Sequence, residues 1–326
     1  MKKKSFIIVA VLLLVLSIAI SACATAAEEE EKVYEVTLIL KDNTSAGWRY
    51  LTAAAIAAGP EYGINITEIS PLGTQDADEQ YRIFEDQIER GVDGIIIAPV
   101  DSAGIVPAIE RANAAGIPVL TTNTRAFVND PDDVIGFVGV ENEEGGYEIA
   151  KFMFSQFPED QTINLIILNG NKTGQTTIDR DLGIYTAISE EPAGRINVLE
   201  DQEAFFSRAQ AQEMMENFLV RFDDIDLVIA LNDEMAIGAF NAIEAAGRTD
   251  EILIAGFDGA PEGLEAILAG DIVATLTQDL PAQGSEAVRV MRLFLDGQEF
   301  PYWTKTGGQA VTIENAQQFL DRFLSE

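Results

Sequence analysis

The chain has 326 residues, of which 47% are hydrophobic and 23% are charged, and this composition excludes a largely disordered protein. The length is more than one ordinary domain needs and suits two. The formal net charge of −33 argues against a nucleic-acid partner, because a polyanion repels phosphate backbones. The large acidic excess with few lysines also suggests a saline habitat, where salt screens the self-repulsion of the surface.

The N-terminus has the layout of a secretory signal peptide. Lysines at positions 2–4 precede an apolar run that ends at Ile20, and small residues then lead to Cys23, the only cysteine. The run is short for a membrane span, and the cysteine at the cleavage point resembles a bacterial lipobox. We therefore predict a signal peptide over residues 1–22, a lipid anchor on Cys23, and a flexible glutamate-rich tether over residues 23–32.

Ten short β-rich runs follow, and several are apolar throughout, as parallel strands covered on both faces are. The predicted strands are Val36–Leu40, Ile64–Ile69, Gly94–Pro99, Pro118–Thr122, Val134–Val138, Ile163–Leu168, Ile196–Leu199, Leu227–Leu231, Ile252–Phe257 and Val273–Thr277. Amphipathic segments between them predict helices. The clearest are Asp76–Arg90, Ser102–Ala115 with Ser102 as its N-cap, Ser207–Phe222 and Glu234–Ala246.

Strands that alternate with helices predict a doubly wound α/β fold with parallel sheets. Ten strands suit two such sheets, and the first five and the next five strands look like equivalent halves. No linker separates the halves, so we expect a direct crossing near Val138–Glu141. Ligands of open α/β sheets bind beyond the carboxyl ends of the strands. Two sheets that face each other by those ends would therefore form a binding cleft.

Polar and aromatic side chains follow many of these predicted strands. Asn, Asp, Arg and Gln bond hydroxyl groups, and aromatic rings pack against apolar C–H faces, a mixture that suits a carbohydrate. Each residue alone also fits a helix cap, a turn, a core position or an ion pair. Their recurrence at one topological end of the strands favours binding. The candidates are Asn43, Ser45, Trp48, Asn123, Thr124, Arg125, Arg180, Phe206, Asn232, Phe257, Asp258 and Gln278.

Three blocks in the second half carry a family resemblance. They read NDEMAIGA at 232–239, GFDG at 256–259 and ATLTQ at 274–278. In this order and spacing they resemble the periplasmic sugar-binding proteins of the ribose-binding type, which share their fold with the effector domains of lac-repressor-type regulators. The resemblance covers nearly all of residues 33–326. A regulator would begin with a DNA-binding helix-turn-helix, where this chain has the predicted export signal.

The resemblance implies a type I periplasmic binding protein with two similar lobes joined by a hinge that the chain crosses three times. The N-terminal lobe would comprise residues 33–140 and 279–307, and the C-terminal lobe residues 141–278 and 308–326. The ligand would be trapped when the lobes close. The family's sugar contacts carry over to matching positions in this chain, which are Trp48, Asn123, Arg180, Phe206, Asn232, Asp258 and Gln278.

The N-terminal half departs from the ribose pattern. Ribose binders carry Asn-Pro-Phe-Phe in the first loop, whereas this chain has SAGW at 45–48. NTR at 123–125 replaces Asp-Arg, and Ala98 stands where the family has Asn. The C-terminal half matches well. We therefore expect this chain to bind its ligand in the same way as the ribose binders. The pattern does not decide whether that ligand is ribose, a hexose or a related polyol.

The resemblance also implies an extracytoplasmic, monomeric protein that serves an ABC permease and its ATPase, with no cofactor and no metal. One alternative is a sensory module that presents a sugar or a furanosyl signal to a membrane receptor. Another is an enzyme, which the absence of histidine and of a free thiol argues against. The glycines of 169–174 do not form a phosphate loop.

Overall fold

The computed structural model describes residues 32–43, 46–72 and 75–325. Its strands are β1 Tyr34–Ile39, β2 Ile64–Glu68, β3 Gly94–Ile97, β4 Val119–Thr122, β5 Gly136–Gly139, β6 Ile163–Asn169, β7 Ile196–Glu203, β8 Leu227–Ala230, β9 Leu253–Ala255, β10 Ala274–Leu276, β11 Trp303–Lys305 and β12 Ala310–Thr312. Its helices are α1 Ala46–Ala58, α2 Ala77–Arg90, α3 Val106–Ala114, α4 Asn142–Phe154, α5 Gln175–Glu190, α6 Arg208–Arg221, α7 Asp233–Ala245, α8 Pro261–Ala269, α9 Leu280–Leu295 and α10 Ala316–Ser325.

The strands form two six-stranded sheets of the same topology. The first has the order β11-β5-β4-β3-β1-β2, and the second has the order β12-β10-β9-β8-β6-β7. In both sheets the neighbours are parallel, except that β12 runs antiparallel to β10. The prediction of two similar doubly wound parallel sheets is confirmed. We call the first sheet and its helices α1, α2, α3 and α9 the first lobe, and the second sheet with the other helices the second lobe.

Helices cover both faces of the first sheet, which explains why its strands are apolar throughout. Leu38 and Ile96 belong to a buried cluster with residues of α1 and α9. Their strand neighbours Ile39 and Ile97 point the other way, into a cluster with residues of α2 and α3. Each face of the sheet thus has its own core. The second lobe has one larger buried cluster that includes Leu165, among other strand residues.

Helix starts follow local capping chemistry, with one exception to the prediction. Asp76 and Ser207, the first residues of two predicted helices, cap α2 and α6 by accepting hydrogen bonds from the backbone N–H three residues later. The prediction that Ser102 caps a helix is wrong, since α3 begins only at Val106. Asp101 Oδ1 instead accepts from the backbone N–H groups of residues 103 and 104, which forms a turn there. The Ser102 hydroxyl oxygen instead accepts a hydrogen bond from the backbone N–H of Gln175, in the second lobe.

The chain passes between the sheets at three places. These lie between β5 and α4, between β10 and α9, and between β11 and β12. The sequence did not predict β11 and β12, which have three residues each. The exact lobe limits, residues 33–140 plus 279–307 and 141–278 plus 308–326, stay predictions. None of the described helices is long and apolar enough to cross a membrane. Cys23, the signal peptide and nearly all of the tether lie outside the described residues.

Candidate functional site

A cavity lies between the lobes, lined by residues that follow the carboxyl ends of strands from both sheets. Seven of the lining residues are the main candidates from the sequence: Trp48, Asn123, Arg180, Phe206, Asn232, Asp258 and Gln278. The structure therefore brings together side chains that are up to 230 positions apart in the chain. Their individual roles as ligand contacts stay predictions.

The remaining candidates that the structure describes do not line the cavity. Asn43 is exposed, and Ser45 lies outside the described residues. Thr124 is buried against Thr176, with 2.6 Å between the two hydroxyl oxygens. Arg125 forms an ion pair with Asp179 of the second lobe. Phe257 is fully buried, and the Arg180 guanidinium carbon lies 4.5 Å from the centroid of its ring.

Arg180 is the most constrained charged group of the site. It projects from α5, and its side chain is 1% exposed. Nε donates to Asn142 Oδ1 at 2.9 Å and Nη1 donates to the Leu231 carbonyl oxygen, while Nη2 has no partner among the described residues. Burial lowers the pKa of Arg180 to about 10, against the opposing charge of Asp258. A buried cation with an unpaired donor at a cavity wall requires an acceptor from a ligand or from water.

A chain of side-chain hydrogen bonds connects the lobes at the hinge side. Asn123 Nδ2 donates to Gln278 Oε1 at 2.8 Å and to Gln283 Oε1 at 3.2 Å. Gln278 Nε2 in turn donates to Asp258 Oδ1. Both hydrogens of the Asn123 amide are thereby engaged. Burial raises the pKa of Asp258 to about 6, although the charge of Arg180 and the hydrogen bond from Gln278 lower it.

Backbone strain is concentrated at the cavity. Among the described residues, six that are not glycine have positive φ, and four of them line the cavity. These four are Gln75 at φ 54°, Asn123 at 60°, Phe206 at 57° and Asp258 at 124°. Asn and Asp tolerate such angles better than other residues, whereas Gln and Phe rarely adopt them. Strain of this kind persists where the surrounding structure holds functional side chains in place.

Phe206 reaches the cavity because Gly170 leaves space for its ring. A β-carbon at position 170 would overlap the ring atoms of Phe206. Across the cleft, Nζ of Lys41 lies 5.3 Å from the centroid of the same ring. Burial lowers the pKa of Lys41 to about 7, and the charge of Arg180 adds to the decrease. An aromatic face and a desolvated ammonium group thus meet across the lobes.

Six lining residues were not predicted from the sequence: Lys41, Asp42, Gly47, Gln75, Thr176 and Leu280. Lys41 and Asp42 directly follow the apolar strand β1, a position that could have identified them. Gln75 lies in the loop before α2 and Thr176 in the first turn of α5, and nothing local distinguishes them from other polar residues at such positions. Among the described residues, no group of three or more acidic or other ligating side chains could hold a metal ion.

Comparison with known proteins establishes the family. A family model for the periplasmic binding protein domain matches residues 36–299. The chain therefore belongs to this family, which implies an extracytoplasmic location. Its relatives are substrate-binding proteins and not enzymes. Together with the sheets and the three crossings, this confirms the predicted resemblance to sugar-binding proteins of the ribose-binding type.

Relatives and solved structures agree on the class. The chain is 33% identical over 224 residues to the ribose import binding protein of Bacillus subtilis, which is 69% of this chain and 70% of the relative. It is 29% identical over 263 residues to a xylitol-binding protein of Mycolicibacterium smegmatis, covering 80% and 73% of the two chains. A galactofuranose binding protein superposes with a TM-score of 0.83 at 26% identity, over 90% of this chain and 99% of that one.

Proposed function

We propose that the chain captures a monosaccharide or a related polyol between its two lobes and delivers it to an ABC importer. Its relatives include ribose, xylitol and fructose binding proteins. Similar structures include a solute binding protein of Bacillus halodurans with bound myo-inositol, at 29% identity and a TM-score of 0.79. The function is binding and not catalysis.

The observation that carries this proposal is the unpaired Nη2 of Arg180 at the wall of a cavity that also presents two aromatic rings. The donor demands an oxygen acceptor, while Trp48 and Phe206 offer surfaces for apolar C–H groups. Lys41 and Arg180 are balanced in the cavity by Asp42 and Asp258. Such a site suits an uncharged ligand with several hydroxyl groups.

Several bonds between the lobes support a closed form with the ligand inside. Ser102 Oγ of the first lobe accepts from the backbone N–H of Gln175 at 2.8 Å, and Gln175 Oε1 accepts from the backbone N–H of Arg125 at 3.0 Å. We propose that the lobes, with the limits given above, separate at the three crossings and close around the ligand. The closed form would be the one that the permease recognises.

We also propose that Cys23 carries the lipid anchor of a monomeric extracytoplasmic lipoprotein, with the ABC permease and its ATPase as partners. The sequence pattern around Cys23 supports this. Metabolic labelling with a radioactive fatty acid should mark the wild type and leave a Cys23→Ser variant unmarked. A wild type that takes up no label would contradict lipidation at this position.

A thermal-shift screen tests the binding proposal. The panel consists of D-ribose, D-fructose, D-galactose, L-arabinose, xylitol and myo-inositol. A ligand that binds only the folded protein raises the melting temperature by mass action. We expect a clear rise with at least one member, whereas the members that do not bind should leave the melting temperature unchanged. A flat response would favour a non-carbohydrate ligand or the sensory alternative.

A further inference from the structure

Two polar candidates of the first lobe, Asn123 and Arg125, already have partners for their side chains. Asn123 has both amide hydrogens engaged by Gln278 and Gln283, and its Oδ1 accepts from Thr124 Oγ1 at 3.2 Å. Arg125 is held by Asp179 and does not line the cavity. If the first lobe recognises a ligand through polar contacts, other side chains must supply them.

Gln75 meets this requirement. It lines the cavity and is 8% exposed, and its Oε1 is buried without a hydrogen-bond partner among the described residues. An acceptor left unpaired in this way destabilises the fold unless a ligand or water supplies a donor. Its backbone adopts φ 54°, which is unfavourable for glutamine. A contact with the ligand would explain why the fold tolerates both the unpaired oxygen and the strained backbone.

The residues that follow Gln75 fix it in place. Asp76 caps α2 through a 2.9 Å bond from the backbone N–H of Glu79. One turn on, Gln80 Nε2 donates to the carbonyl oxygens of Leu40 and Ala98, at 2.9 Å each. These bonds tie the start of α2 to the ends of β1 and β3, at the edge of the cavity. Gln75 is therefore presented by a rigid support, which favours selective recognition.

We propose that Gln75 is a specificity-determining ligand contact of the first lobe, and that its Oε1 accepts a hydrogen bond from a ligand hydroxyl group. This inference rests on the proposed function. On the second lobe Arg180 Nη2 is the unpaired donor, so the ligand bridges an acceptor on one lobe and a donor on the other. A sugar that lacks the hydroxyl facing Gln75 is rejected, because the buried oxygen then stays unpaired.

A mutant cycle with modified sugars tests the inference. The affinity of the wild type, Gln75→Leu and Gln75→Glu is measured for the six panel compounds and for the monodeoxy analogues of each binder. Gln75→Leu should weaken binding of the parent sugar about tenfold. The monodeoxy analogue that lacks the hydroxyl facing Gln75 should bind to the wild type and to Gln75→Leu with the same affinity, which is lower than that of the parent sugar for the wild type. Gln75→Glu keeps an acceptor oxygen and should retain most of the affinity.

Gln298→Leu, the same change at an exposed position of the first lobe, is the matched control and should bind like the wild type. The inference is overturned if Gln75→Leu binds the panel sugars as tightly as the wild type. It is also overturned if, for every monodeoxy analogue, the affinity relative to the parent sugar falls by the same factor in the wild type and in Gln75→Leu. Failure of the wild type to bind any panel compound would instead overturn the proposed function, so the two failures are distinguishable.

Discussion

Arg125 of the first lobe and Asp179 of the second lobe form an ion pair across the cleft, with 2.8 Å between Nη2 and Oδ2. Neither residue lines the cavity. Beside this pair, Thr176 Oγ1 donates to Thr124 Oγ1 at 2.6 Å and lies 3.2 Å from the Asn123 carbonyl oxygen. The two lobes are thus joined by polar contacts that stabilise the closed arrangement independently of the ligand.

Replacing Arg125 by alanine should weaken the binding of every ligand by the same factor. The ion pair is partly exposed and worth about 1 kcal/mol, which corresponds to about fivefold in affinity. Because the change acts on closure and not on ligand contacts, selectivity should be unchanged. Calorimetric titration with the panel measures both quantities. Arg111→Ala, which breaks a pair with Glu85 within the first lobe, is the control and should leave affinity unaltered.

Replacing Arg180 by lysine should reduce affinity about a hundredfold. A single ammonium group cannot reach Asn142, the Leu231 carbonyl oxygen and a ligand oxygen together, as the planar guanidinium does. The measurement is equilibrium titration with the best panel sugar. Arg195→Lys is the matched control, since Arg195 is a half-buried arginine of the same lobe that bonds Glu191 and the Phe154 carbonyl oxygen. It should lower the melting temperature while affinity stays the same.

Gly170→Ala should displace the ring of Phe206 from the cavity, because the new β-carbon overlaps the ring. We expect a loss in affinity of about tenfold or more, since a stacking surface is removed. Titration of the purified variant provides the measurement. Gly194→Ala is the control, since position 194 has φ 81° and open space around it. It should lower stability through backbone strain alone, and unchanged binding by Gly170→Ala would show that Phe206 does not contact the ligand.

Affinity and stability should respond to pH in opposite directions because of Lys41. The pKa of Lys41 falls from 10.5 to about 7 in the folded protein. As the pH rises through 7, the ammonium group loses its proton, and a hydrogen bond from Lys41 to a ligand oxygen loses its charge assistance, so affinity should decrease. Between the two pKa values the unfolded chain binds a proton that the folded chain does not. The contribution of Lys41 to the free energy of unfolding therefore increases over that range.

The Lys41 prediction is tested by titrations and denaturant unfolding at several pH values, in the wild type and in Lys41→Met. The variant should lose the decrease in affinity near pH 7. Lys151→Met, which removes an ammonium group paired with Glu191 at the surface, should behave like the wild type. A decrease in affinity that persists in Lys41→Met would assign it to another group.

Salt should raise the stability of the protein. The net charge of −33 destabilises the compact state through self-repulsion, and added ions screen it. The melting temperature should therefore increase with KCl concentration. KCl and a neutral osmolyte at equal osmolality separate screening from general solute effects. Equal shifts with both solutes, or no gain with KCl, would contradict a role for surface repulsion.

Much of the fold could be predicted because the signals are local. Buried parallel strands give short apolar runs, and all ten predicted runs overlap a strand. The edge strands β11 and β12 were missed because three residues carry too little pattern, and their pairing depends on the neighbouring strand. The start of α3 was placed too early at Ser102. There Asp101 competes for the same backbone N–H groups.

The site was predictable where topology alone determines position. Residues such as Asn232 and Asp258 follow strands of a parallel sheet, so their place at the cleft is fixed by the fold. Whether a neighbouring residue faces the cavity or the other lobe depends on how the lobes meet. For that reason Arg125 could not be assigned from the sequence. Gln75 was missed because its orientation follows from an unusual backbone angle, which no residue pattern encodes.

The most direct test of the central claim is a calorimetric titration of the purified wild-type protein and of Arg180→Lys with the six panel compounds. The account predicts that at least one sugar or polyol binds to the wild type with one ligand per chain, and that Arg180→Lys binds it far more weakly. The absence of binding by the wild type, or equal affinity of the two proteins, would contradict recognition of a sugar in the cavity between the lobes.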